Sequence, residues 1–165
     1  DVGLVGFPNA GKSTLISKIS NSKPKISDYP FTTLTPNLGI VKYQDYKSFV
    51  MADIPGLVEG ASKGKGLGNQ FLRHIERTKV LIFMIDINSD SINDDYLILK
   101  KELLNHKPDL DKLPKMLLLT KIDTISQEDL SQKKLPKDIE IIKISSITGK
   151  NLENAIKSIA YLVES

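Results

Sequence analysis

Cysteine is missing from all 165 residues, which excludes a disulfide framework and a thiolate metal site and fits a reducing cytoplasm. There is no apolar run long enough to span a bilayer and no charged start leading into an apolar signal segment. A soluble, cytoplasmic chain with no membrane partner is therefore expected. Charge of one sign is scarce as well: 23 Lys and Arg stand against 20 Asp and Glu, and a scattered net charge of +3 does not argue for nucleic-acid binding. Internal repeats and low-complexity tracts are also lacking. By length the chain is a single domain over residues 1–165, and such a domain buries roughly 70% of the surface its unfolded chain exposes. Asp1 stands almost inside an apolar strand pattern, which suggests a domain cut from something longer, with its first strand truncated.

What the chain does have, directly after the apolar Val2-Gly3-Leu4-Val5, is Gly6-Phe7-Pro8-Asn9-Ala10-Gly11-Lys12-Ser13, a fit to the phosphate-loop pattern G-x-x-x-x-G-K-[ST]. Thr14-Leu15-Ile16-Ser17-Lys18-Ile19 follows with apolar residues at helical spacing, so the context is strand, loop, helix. A polyphosphate is wrapped closely only by backbone N–H groups that converge on it, and Gly6 and Gly11 are read as giving the conformation and bare surface for that approach. The first helical turn adds unpaired N–H groups and the positive end of the helix dipole. Lys12 would place an ammonium between the β- and γ-phosphates, and the Ser13 hydroxyl is short enough to ligate a Mg²⁺ bridging them.

Further along, residues 21–30 carry two prolines and read as an exposed loop. They lead into Phe31-Thr32-Thr33-Leu34-Thr35-Pro36-Asn37. β-propensity accounts for a lone threonine here, but between a phosphate site and the next strand a hydroxyl can complete a Mg²⁺ shell, and Thr33 is the choice for that role. Residues 38–43 and 47–52 read as strands joined by the polar turn Gln44-Asp45-Tyr46. Asp53-Ile54-Pro55-Gly56 then suits plain strand termination. Coming about forty residues after the phosphate loop, however, Asp53 is also the expected carboxylate at the Mg²⁺ site, and Gly56 an N–H donor to the γ-phosphate. Five glycines from Gly56 to Gly68 imply low intrinsic order, which suits a segment hung on that phosphate.

The remaining pattern alternates. Residues 69–78 read as a helix on Phe71, Leu72 and Ile75, with His74 at its surface, and residues 80–85 as a central strand covered on both faces. Residues 91–106 read as a helix with Leu97, Ile98, Leu103 and Leu104 inward. Residues 115–119 form a buried strand ending in Thr120-Lys121-Ile122-Asp123. A carboxylate there takes two parallel hydrogen bonds from the N1–H and exocyclic amino group of guanine, a pair adenine lacks, while the Lys121 stem lies along the base plane. T-K-x-D is a short and common string, and its position after a late strand gives it weight. Residues 126–134 read as a short helix and residues 139–144 as the last strand. In the following Ser145-Ser146-Ile147-Thr148-Gly149 the amides, that of Ser146 first, reach the guanine O6. Residues 151–163 close the chain as a helix. The fold class is α/β: a P-loop NTPase with a mostly parallel sheet of about six strands, helices on both faces, and ligands at the strands' carboxyl ends.

Five motifs in this order resemble the translation-factor class of small GTPases. More narrowly, YPFTTLTPNLG, DIPGLVEGA and GLGNQFLRHIERT resemble the GTPase domain of the Obg family, over nearly the whole chain. The resemblance implies GTP hydrolysis to GDP with Mg²⁺, a role in large ribosomal subunit assembly, a cytoplasmic location, and a Gly-rich N-terminal domain absent here. It implies that Gly6 to Thr14, Phe31 to Thr35, Asp53 to Gly56, Thr120 to Asp123 and Ser145 to Ile147 line the nucleotide site. The metal ligands are then Ser13, Thr33 and Asp53, and Lys12, Thr33, Gly56 and Asn9 take part in catalysis. Most members have Asn where this chain has Thr120, and Leu57 follows D-x-x-G where Ras-like enzymes place a water-orienting Gln. Slow hydrolysis, on the order of 10⁻⁴ to 10⁻³ s⁻¹, is expected. Asn9 either helps hold a K⁺ that offsets the missing Gln or only shapes the loop. A guanine-nucleotide sensor, binding GDP or guanosine tetraphosphate with incidental hydrolysis, is the alternative, and a relaxed ATPase a third. Lys23, Lys25, Lys63 and Lys65 are either contacts to ribosomal RNA or solvated lysines. A monomer is expected.

Overall fold

Val2–Gly6 form β1, a strand of five buried residues. In the computed structural model, which describes residues 1–21, 37–54 and 76–165, β1 lies inside a six-stranded sheet of order β2-β3-β1-β4-β5-β6. The others are β2 (Leu38–Gln44), β3 (Lys47–Asp53), β4 (Val80–Asp86), β5 (Lys115–Thr120) and β6 (Ile141–Lys143). The turn between β2 and β3 permits only antiparallel pairing, with Tyr46 left-handed at φ 63°. Every other neighbouring pair is parallel. The apolar run of β4 does not alternate because both its faces are covered.

Among the described residues the covering helices are α1 (Lys12–Ile19), α2 (Ile92–His106), α3 (Gln127–Ser131) and α4 (Leu152–Glu164). They divide the interior into two apolar layers. Successive strand residues point to opposite faces, so Ile82, Met84 and Leu118 meet Leu15, Ile16 and Ile159 of α1 and α4, while Leu81, Phe83, Ile85 and Leu117 meet Tyr96, Leu99 and Leu103 of α2. Tyr96 stands edge-on to Phe83 with ring centroids 5.2 Å apart. The end of α1 comes close to β2 at one point. A Cβ on Gly39 of β2 would lie 2.5 Å from Ser20 Cβ, so only glycine admits α1 at this distance.

Three expectations need correction. Leu97 and Ile98 face outward, 52% and 53% exposed, and the buried stripe of α2 is Ile92, Tyr96, Leu99 and Leu103. α3 stops at Ser131, short of residue 134. It starts on Ser126, whose hydroxyl accepts from Asp129 N–H at 3.1 Å, and half-buried Leu130 is its link to the apolar layer. β6 keeps three residues of the expected six, although its hydrogen bonds run one residue further each way, Leu117 N–H to Glu140 O and Ile144 N–H to Leu119 O. Most of the expected loop at residues 21–30 and most of the expected helix at residues 69–78 lie outside the described residues. Among the described residues no helix is long and apolar enough to cross a membrane.

Candidate nucleotide-binding site

β1 hands the chain to a single 3₁₀ turn, Pro8–Ala10, and then to Gly11, left-handed at φ 90°, which opens α1. A Cβ on Gly11 would meet nothing within 4 Å, so the backbone angle and not crowding calls for glycine. No side chain caps α1, and its first backbone bond is Leu15 N–H to Gly11 O at 2.9 Å. The amides of Lys12, Ser13 and Thr14 are thus left without intrahelical partners at the positive end of the helix, an arrangement that suits an anion. Gly6 has a different reason from the one expected. Its Cβ would stand 2.6 Å from the Met84 carbonyl oxygen, so it serves close strand packing.

Lys12 and Asp53 meet beneath the loop. The ammonium donates to Gly6 O at 2.5 Å and lies 3.4 Å from Asp53 Oδ1. That separation neutralises charge, yet Asp53 Oδ1 is buried and has no hydrogen-bond partner. Burial pushes the Asp53 carboxyl above its ordinary range, with Lys12 pulling the other way. Ser13 Oγ accepts from the Asn37 amide at 2.7 Å, and the Asn37 carbonyl takes the Asp53 N–H at 3.0 Å. A buried oxygen lacking a partner near an exposed hydroxyl fits Mg²⁺, which prefers oxygen ligands and takes the rest from phosphate and water.

The strand ends on the other side carry a second group. Thr120, 3% exposed, donates its hydroxyl to Ala10 O at 2.9 Å and lies 3.4 Å from Ile85 O. Thus Thr120 keeps a direct tie to the phosphate loop. Lys121, left-handed at φ 63°, reaches Asn9 O at 2.9 Å and Asp86 Oδ2 at 3.0 Å. Burial works against the Asp86 carboxylate, but hydrogen bonds from the Asn88 backbone, Lys121 and the Asn88 amide outweigh it and hold its pKa below the ordinary value. The Asn88 amide also reaches Thr124 Oγ1 at 2.8 Å. Asp123 Oδ1 accepts from Ser145 Oγ at 2.8 Å, and Ser145, fully buried, takes Thr148 N–H at 3.1 Å. The carboxylate is thereby fixed through one oxygen.

Of the expected lining residues, Gly6 to Thr14, Asp53, Thr120, Lys121 and Asp123 come together at the carboxyl edge of the sheet, with Ser145 braced against Asp123. Ile54 is a core residue, 3% exposed and bonded through its N–H to Leu4 O, while Ile147 is 73% exposed. Ile122 packs against the α2 layer, and Ser146 is half-buried. Phe31, Thr32, Thr33, Leu34, Thr35, Pro55 and Gly56 lie outside the described residues, as do Leu57, His74 and the four lysines. Sequence reasoning missed Asn37, Asp86 and Asn88. Asp86 had a signal, a carboxylate ending a buried strand as Asp53 does.

A parallel sheet whose first strand turns through a Gly-Lys-Ser loop into an uncapped helix defines a P-loop nucleotide-binding fold. The G domain of the T. maritima FeoB iron transporter shares it, with a TM-score of 0.66 over 98% of this chain and 97% of that one at 23% identity. Aquifex aeolicus Era bound to GDP·AlF4⁻ gives 0.65 over 98% and 56% at 25% identity. The chain belongs to the family of 50S ribosome-binding GTPases, whose family model matches residues 1–121. It is 58% identical to GTPase Obg of Chlorobaculum tepidum over 153 residues, 93% of this chain and 45% of that protein. With GTPase Obg of Bacteroides fragilis the figures are 59% over 151 residues, 90% and 39%. The likeness to Obg GTPase domains expected from the motifs is borne out, and the chain spans less than half the length of these relatives.

Proposed function

We propose that this domain binds GTP and GDP with Mg²⁺, hydrolyses GTP slowly, and serves in the cytoplasm as a switch in assembly of the large ribosomal subunit. The observation that carries the reading is the pair of ties, Thr120 to Ala10 and Lys121 to Asn9, that fixes the phosphate loop against the strand end bearing Asp123. A polyphosphate and a guanine are thus read by one rigid edge. The amides of residues 12–14 take phosphate oxygens, and Lys12 exchanges the Gly6 carbonyl for them. Ser13 would hold Mg²⁺, with Asp53 behind it and Thr33 completing the set; when bound, the ion offsets charge on the β- and γ-phosphates. Asp123, steadied by Ser145, chooses guanine through its remaining lone pairs. Asn9, with its side chain in solvent, is the group that would admit K⁺.

The reading is tested by calorimetry of GTP, GDP and ATP with and without Mg²⁺. Magnesium-dependent uptake of the guanine nucleotides is expected, and no uptake overturns it. Asp123→Asn should move the preference from GDP to xanthosine diphosphate, whose O2 accepts where guanine donates. An unchanged preference would remove Asp123 from base reading. Leu57 favours a second reading, a sensor of GDP or guanosine tetraphosphate, and single-turnover phosphate release with and without ribosomal particles separates the two. Comparing turnover in K⁺ and Na⁺ at equal ionic strength tests Asn9, and equal rates remove the potassium role.

A further inference from the structure

The residue at the head of β2, Asn37, touches two of the residues assigned to magnesium, Ser13 and Asp53. Asn37 Nδ2 donates to Ser13 Oγ at 2.7 Å, and the Asn37 carbonyl accepts Asp53 N–H at 3.0 Å. Further along β2, α1 stays against the same strand, with Ser20 and Ile16 seated over Gly39. A serine hydroxyl has one proton and two lone pairs and turns about its Cβ–Oγ bond unless something holds it. An amide N–H can only donate, so it occupies one lone pair and leaves the second, with the proton, for other partners.

We propose that Asn37 is a positioning residue: its amide holds the Ser13 hydroxyl with one lone pair turned out, and so sets the magnesium-dependent part of nucleotide retention. This rests on reading the site as a magnesium–nucleotide site. Asn37 itself touches neither ion nor nucleotide. Its tie to Asp53 runs through the backbone, so Asn37→Ala removes the amide alone and leaves the β2–β3 edge intact.

The test is release of fluorescent GDP from the full chain, with Mg²⁺ titrated and with EDTA. In Asn37→Ala the Mg²⁺ concentration that half-maximally slows release should rise roughly tenfold or more, the usual effect of losing a group that orients a metal ligand. Release in EDTA should stay within about twofold of wild type, since phosphate and base contacts are untouched. In a Ser13→Ala background the same substitution should change nothing further. Asn37→Ser, too short to reach Ser13, should reproduce the result if alanine perturbs folding. An unmoved magnesium midpoint, equal loss in EDTA and in Mg²⁺, or additivity with Ser13→Ala overturns the proposal. A wild-type chain that binds GDP indifferently to Mg²⁺, or not at all, overturns the site reading and this inference with it.

Discussion

Thr120 carries two tasks on one hydroxyl: it is the buried end of β5 and the brace of Ala10. Thr120→Val keeps the shape and removes the donor, leaving the Ala10 carbonyl short of a partner. We expect a loss of about 1–3 kcal/mol in urea unfolding, together with weaker GDP binding. A stability within a few tenths of wild type would show that the carbonyl finds another donor. Asp53 points the other way. A carboxyl whose pKa is raised on folding binds its proton more tightly folded than unfolded, so stability is lost as pH rises from the unfolded value, 3.8, through the folded one. At neutral pH the protein carries this charge at a cost. Asp53→Asn should therefore unfold at higher urea than wild type near neutrality, lose that advantage below the unfolded pKa, where both states are protonated, and bind GDP with less help from Mg²⁺. Urea series on both sides of that value check the sign.

At the scale of elements, α2 offers the clearest contrast. Leu99 is fully buried against the sheet and Leu97 is half exposed two residues away. Leu99→Ala should cost about 2–5 kcal/mol and Leu97→Ala less than about 0.5, read from denaturant midpoints at a common slope. The sequence could not decide this face, because Tyr96-Leu97-Ile98-Leu99 is apolar throughout and offers two equally good stripes. Packing of Tyr96 against Phe83 settles the register. The parallel strands were legible for the opposite reason, since a strand covered on both faces reads as an unbroken apolar run whatever its neighbours. The same division runs through the site. Lys12, Ser13, Asp53 and Asp123 sit in short strings whose chemistry can be read locally, and the structure brings them to one edge. Asn37, Asp86 and Asn88 sit in no such string: apart from the local bonds between Asn88 and Asp86, they reach Ser13, Lys121 and Thr124 on other elements.

For the whole molecule, two apolar layers share one sheet, so the chain should unfold in a single transition and a ligand at the strand ends should stabilise all of it. GDP with Mg²⁺ at a hundred times its dissociation constant should add about 2.7 kcal/mol, seen as one melting curve moved upward; two transitions, only one of them shifted, would mean that the layers are not coupled. The stitches from Thr120 to Ala10 and from Lys121 to Asn9 span more than a hundred residues of chain. During synthesis the Gly-Lys-Ser motif therefore leaves the ribosome long before Thr120 and Lys121 can fasten it. A nascent chain halted ahead of β5 carries the whole Gly-Lys-Ser sequence and yet lacks the two anchors of its curve. A guanine nucleotide bound at this edge would then steady only a chain already made through β5, not guide its early collapse.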